Sequence, residues 1–267
     1  MQRHNVYLKG IAATGPGFEN WEGFRNHFTA DAPLVSGFVP RPQGAILPSA
    51  ERRRASVTIK LAVDVAQQAL QQSGMKAEDL ALVFASSNGD TDTIHHICDA
   101  LATPERFVSP TRFHNSVHNA PAGYWSIASG SMQPSSSLCA WNDTFAAALM
   151  EAAAQCLSEQ IPVLLTVFDT PFPAPLYEIT PGHQAFGVAL VLDANPAGSI
   201  ARLSLALDYD GSLAATPMAD TALENMRCDS SAARSLPLLA VIAAGGAQEV
   251  VLGYMDNLRL RVAVERC

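Results

Sequence analysis

Positive charge is scarce in this chain: 17 lysines and arginines stand against 25 aspartates and glutamates, a formal net charge of −8. So little positive field argues against a nucleic-acid partner. No window approaches eighteen uninterrupted apolar residues, and the N-terminal MQRHNVYLKGIAATGPGF lacks the long apolar core of a signal peptide. A soluble, cytoplasmic protein with no membrane partner is therefore expected. CxxC pairs are missing too. The five cysteines, Cys98, Cys139, Cys156, Cys228 and Cys267, are odd in number and read as reduced, mostly buried thiols. Gly15-Pro16-Gly17 and Ala244-Gly245-Gly246 are turn signals without phosphate-loop spacing, and SSSLC is not a GxSxG elbow. There is no solenoid-period repeat and no low-complexity tract.

What is present is a chain of 267 residues, 48% hydrophobic and 16% charged, enough for one sizeable core. Strand and helix patterns alternate along it. Val6–Ala13 reads as a strand, and 32–48 as Pro- and Gly-rich ordered coil. Ile59, Ala62, Val63, Ala66 and Leu70 give a helix one apolar face, stopped by Ser73-Gly74. LALVFA (80–85) and VLLTVF (163–168) are continuous apolar runs of strand length, as strands covered on both faces require. Between them, 108–152 reads as a helix, a strand, a sharp turn and an Ala-rich helix from Thr144 to Leu157. Strands follow at 185–193, 201–208, 249–252 and 258–265, with a helix at Leu236–Ala244; the polar stretch 211–235 reads as a mobile loop. Helices alternating with apolar strands predict a layered α/β domain.

Three segments carry a family resemblance. RRRASVTIKLAVDVAQQALQQSGMKAEDLALVFASSNGD, VSPTRFHNSVHNAPAGYWSIASG and AFGVALVLD resemble, in order and spacing, the N-terminal half of β-ketoacyl synthases. In the second segment Ser109-Pro110, Asn119, Ala122 and Gly123 stand at the family's positions, and the third has lost the acidic and most glycine residues of the family's GEGAG strand. The resemblance implies a thiolase-like (condensing-enzyme) layered fold truncated in its C-terminal half. It implies a single domain over 1–267, with 1–198 like the ketosynthase N-terminal half and 199–267 a reduced C-terminal part.

The same register bears on chemistry. In the family a proline is followed by a strand of seven residues and then by the acyl-accepting cysteine. Counted from Pro134, SSSLCAW fills the strand and Asn142 takes the nucleophile position; an amide cannot form a thioester. Cys139 lies three residues too early, within the predicted strand, and reads either as a structural thiol or as a displaced nucleophile activated at a helix N-terminus. The family's two catalytic histidines belong to its C-terminal half, yet no histidine follows His183, whose own position points to the surface. His95 and His96 follow Asp90 and Asp92, but neighbours on a helix diverge by about 100°, so no metal site is expected, and no cofactor. His114 and His118, four apart, share a face if their segment is helical. Arg52–Arg54 read as a solvated helix start or as a carrier-protein contact.

By resemblance the chain looks like a chain-length factor, the non-catalytic partner of a β-ketoacyl synthase, of the short form found in aryl-polyene-type pathways. In such heterodimers residues crossing the interface wall the partner's acyl pocket. Phe113, Val117 and Trp125 are the expected wall, with His114, Asn115, His118 and Tyr124 in the same interface segment; acyl carrier protein engages through the complex. A large apolar face around 134–150 is a further expectation. The alternatives are an active minimal ketosynthase or acyltransferase using Cys139, with His114 or His118 as base, and a scaffold for the carrier protein.

Overall fold

The computed structural model describes residues 3–30, 32–35, 37–180 and 182–267. In chain order they form β1 (His4–Thr14), α1 (Trp21–Thr29), α2 (Ser49–Arg54), α3 (Val57–Ser73), β2 (Ala81–Ala85), α4 (Thr91–Ala102), α5 (Pro110–Asn115), α6 (Ala120–Ser129) and β3 (Ser135–Leu138). There follow α7 (Thr144–Glu159), β4 (Val163–Asp169), β5 (Phe186–Asp193), β6 (Ala201–Asp208), α8 (Thr221–Asp229), α9 (Leu236–Ala244), β7 (Gln248–Tyr254) and β8 (Leu258–Arg266). The strands form one mixed sheet in the order β3-β2-β4-β5-β1-β6-β8-β7. β3, β2 and β4 run parallel, and every other neighbouring pair is antiparallel.

The continuous apolar runs are explained by their period-two split between layers. On β4, Val163, Leu165 and Val167 enter the core beneath α7 and α9, while Leu164 and Phe168 enter the core beneath α3 and α6. β2 divides in the same way: Ala81, Val83 and Ala85 on one side, Leu82 and Phe84 on the other. α3 starts where the Ser56 side chain accepts from the Ile59 N–H (3.2 Å) and stops at Gly74 in the left-handed conformation (φ 67°). It lies directly on β1 because Gly10 has no side chain: a Cβ there would stand 2.2 Å from the Ala69 carbonyl oxygen.

Several sequence expectations are corrected. The strand after Pro134 is four residues long, so Cys139 lies beyond it. The stretch 211–235 is not a loose loop. Asp220 caps α8 by accepting from the Leu223 N–H (2.9 Å), and a 3₁₀ turn over Ala232–Ser235 buries Ala232, Ala233 and Ser235 in the core. Glu224, held down to about 2 by its hydrogen bonds to Arg227, clasps that arginine within α8. The cysteines are all free thiols but not mostly buried. Only Cys156 is inside, its thiol pushed up to about 11 by burial and then by the Asp193 charge, because Cys98 and Cys228 lie on outward faces of short helices and Cys267 closes the chain. No helix among the described residues is long and apolar enough to cross a membrane.

Candidate functional site

Parallel strands end their C-termini on one side of a sheet, where the loops that follow them converge. Here the ends of β2, β3 and β4 bring together Ser86–Gly89, Cys139–Asp143 and Asp169. Asp169 is the hub. Its carboxylate is wholly buried and accepts from the Ser86 hydroxyl (2.8 Å), the Ser87 and Asn88 N–H groups (2.9 and 3.3 Å) and the Ser231 hydroxyl. Burial pushes its pKa up, and the four donors pull the other way. This one side chain thereby fastens the loop after β2 to the 3₁₀ turn before α9.

Above it, the chain passes from β3 to α7 through a strained turn. Trp141 has φ 51°, unusual for a bulky residue. Thr144 braces the turn, its hydroxyl accepting from the Ala140 N–H (3.1 Å) and donating to the Trp141 carbonyl (2.7 Å). Asn142 follows, exposed, just ahead of α7. Trp141 and Asn142 separate two spaces. Beneath them, beside Asp169, Gly182 and Asp229, is a pocket of about 10 Å³, the size of one water. On their outer side, an open groove of about 790 Å³ runs to the β7–β8 hairpin.

Cys139 is exposed at the end of β3, five positions before α7, and so is not at that helix's N-terminus. Its thiol donates to the Ser87 carbonyl (3.2 Å). His118 reaches the adjacent carbonyl: its Nε2 lies 2.9 Å from the Ser86 oxygen. His114 instead packs edge-on against Tyr124, with ring centroids 6.2 Å apart. α5 ends at Asn115, so the two histidines do not share a helical face. His95 and His96 pair with acids of their own helix, Asp99 and Asp92. Among the described residues no three histidine, cysteine or carboxylate side chains converge as a metal ion would need. His183 is partly exposed; its Nδ1 contacts Asp229 at 2.7 Å.

The predicted wall residues divide. Trp125 is fully buried in this chain's own core beside Phe84, and Tyr124 and Asn115 are buried with it. Asn115 donates to the Arg54 carbonyl (2.8 Å) and accepts from the Tyr124 hydroxyl (3.0 Å), whose pKa burial raises, with the Glu51 charge adding to it. These three fasten α5 and α6 to α2 and cannot wall a space outside. Phe113 and Val117 are exposed, 68% and 53%. Phe107, Ile127, Met132 and Trp141 are exposed as well, as are apolar side chains elsewhere in the chain, among them Val57, Leu101, Ile179 and Met255. The predicted face at 134–150 is corrected accordingly, because the apolar side of α7 is used by the core and β3 shows serines. β3 pairs with β2 on one side only and forms an edge of the sheet.

Sequence reasoning missed Asp169, Ser231 and Asp229. Only Asp169 left a trace: it closes the apolar run VLLTVFD, and a carboxylate at the end of a doubly covered strand needs buried donors.

The family described as "Beta-ketoacyl synthase, N-terminal domain" matches residues 28–250. No curated protein sequence matches. Among solved structures, the complex of a ketosynthase with its chain length factor from Xenorhabdus doucetiae is similar at 25% identity and a TM-score of 0.72, covering 97% of this chain and 99% of that one. The ishigamide ketosynthase/chain length factor follows at 14% identity and TM-score 0.73, with 98% and 99% covered. A type II polyketide acyl-carrier protein in complex with its ketosynthase bound to the hexaketide has 11% identity and TM-score 0.73, both chains being covered in full at 100%. The last two bear on fold alone. The fold is the thiolase-like, condensing-enzyme one that the resemblance implies.

Proposed function

The chain belongs to the beta-ketoacyl synthase family, and on that footing we propose that it is a non-catalytic, chain-length-factor-like partner of a cytoplasmic ketosynthase in aryl-polyene-type polyketide synthesis. Residues 199–267 are its reduced C-terminal part. The observation that carries this reading is the turn between β3 and α7: the three residues just ahead of the helix are Trp141, Asn142 and Asp143, none of them a thiol. The partnership is supported by the similar ketosynthase–chain length factor complex from Xenorhabdus doucetiae, by the open edge of β3, and by the bare apolar side chains on 107–132. Open strand edges and exposed apolar side chains are what an obligate interface covers. Phe113 and Val117 are the side chains that cross to the ketosynthase and limit its acyl pocket, and acyl carrier protein delivers chains to the pair. Cys139 as nucleophile is disfavoured because its thiol is spent as a donor to the Ser87 carbonyl.

The test is co-expression with an aryl-polyene-type ketosynthase, followed by size-exclusion chromatography and acyl-loading mass spectrometry. A one-to-one complex with acyl label on the ketosynthase alone is expected, and Phe113→Ala in that complex should lengthen the products. Label on Cys139 would instead make this chain an enzyme, and two unassociated proteins would end the partnership reading.

A further inference from the structure

The open groove on the outer side of Trp141 and Asn142 holds two arginines that the partner role does not use. Seven of the fourteen arginines are ion-paired; Arg234 and Arg259 are among those that, within the described residues, have no carboxylate within 4.0 Å. This holds although Asp143 and Asp256 line the same groove. The Arg259 guanidinium is anchored by backbone carbonyls, and the Arg234 side chain is partly buried. Arg234 projects from the 3₁₀ turn whose neighbours Ala233 and Ser235 are buried, and its Nε is itself buried with no partner. Arg259 stands on β8 opposite Gly253 of β7, its Nε donating to the Leu213 carbonyl (2.9 Å) and its Nη1 to the Leu258 carbonyl (2.7 Å). Gly253 keeps the space between turn and hairpin open: a Cβ there would lie 3.2 Å from Asp143 Oδ1 and 3.9 Å from Arg234 Nη1.

We propose that this groove is a binding site for a small amphipathic phosphate ester, its phosphate bridging Arg234 and Arg259 and its apolar body lying against Trp141. Guanidiniums on separate elements suit an anion with three acceptor oxygens. Trp141 is 59% exposed at the other wall and supplies the apolar surface. The proposal stands apart from the partner role and needs no ketosynthase.

Trp141 also makes the test direct, since Trp21 and Trp125 are both buried and the groove has its own reporter. Titration of the purified protein with octyl phosphate should change tryptophan emission saturably. Octanol should not, and inorganic phosphate should displace the ester. Arg259→Gln and Arg234→Gln should each weaken binding about tenfold, the loss of one charge-assisted contact, and Trp141→Phe should remove the signal. Octanol binding as tightly as octyl phosphate, or unaltered affinity in Arg259→Gln at an unaltered melting temperature, would overturn the site. Arg259 lies on the hairpin rather than in the core, so that variant decides the matter should Arg234→Gln fail to fold.

Discussion

The two ends of the sheet are built on different terms. β2, β4 and β5 are covered on both faces, and their side chains alternate between two cores. β6 and β8 send large apolar side chains into one core only, and on the other face of β6 just the small Ser204 and Ala206 are buried. Leu203, Leu205, Val262 and Val264 point inward, while the outer face carries the pairs Arg202–Glu265 and Arg261–Glu249. Every feature of the candidate site that must be rigid hangs from the doubly covered end: the Asp169 hub, the strained turn, the exposed apolar segment. The singly covered end contributes Arg259 and Gly253, whose work is at the surface. A sheet can thus devote its dry half to holding strain and leave its wet half free to vary.

The largest expected effect tests the dry half. Phe84, buried on β2 against Trp125 and Phe168, should cost about 3–5 kcal/mol as Phe84→Ala, read from urea unfolding. A loss below about 1 kcal/mol would erase the contrast between the two ends.

A second prediction concerns pH. Because burial raises Asp169 above its ordinary 3.8, the folded protein binds that proton more readily than the unfolded chain. Its contribution to stability is therefore fully present at low pH and is lost as pH rises from 3.8 through the folded value. Asp169→Asn cannot titrate, so urea midpoints measured across that window should fall less steeply for the variant than for the parent. Equal slopes would mean that the hub carries no such linkage.

The smallest effect belongs to the wet half. Arg261→Ala breaks a half-exposed pair with Glu249 and should cost less than about 1 kcal/mol, shrinking further in added salt. A cost equal to that of Phe84→Ala would show that the outer face is structural after all.

This contrast also explains what could be read from the sequence. Period and length specify a strand wherever burial is regular, and so Ala201–Asp208 and Leu236–Ala244 appear in the structure with the boundaries the sequence predicts. α1 went unread although Trp21, Phe24 and Phe28 recur at helical spacing behind the cap Asn20, because Pro and Gly on either side dominate the pattern. α8 was hidden for a different reason: Leu223 is its one buried residue, and a cap and an ion pair hold the rest. The site itself was half legible. The register count assumed a seven-residue strand where the structure has four; nothing local to Trp125 distinguishes a wall of a partner's pocket from a core side chain, and nothing near Ser231 announces a hydroxyl meant for Asp169.

The Asp169 hub has a consequence for how the chain is made. Its donors come from Ser86–Asn88, already synthesised, and from Ser231, which lies 62 residues downstream. At translation rates of about 5–20 residues per second, the carboxylate waits roughly 3–12 s for its last donor. Until then the loop after β2 is fastened by the Ser86, Ser87 and Asn88 donors alone. The newborn chain thus completes this clasp only once the turn before α9 has been made.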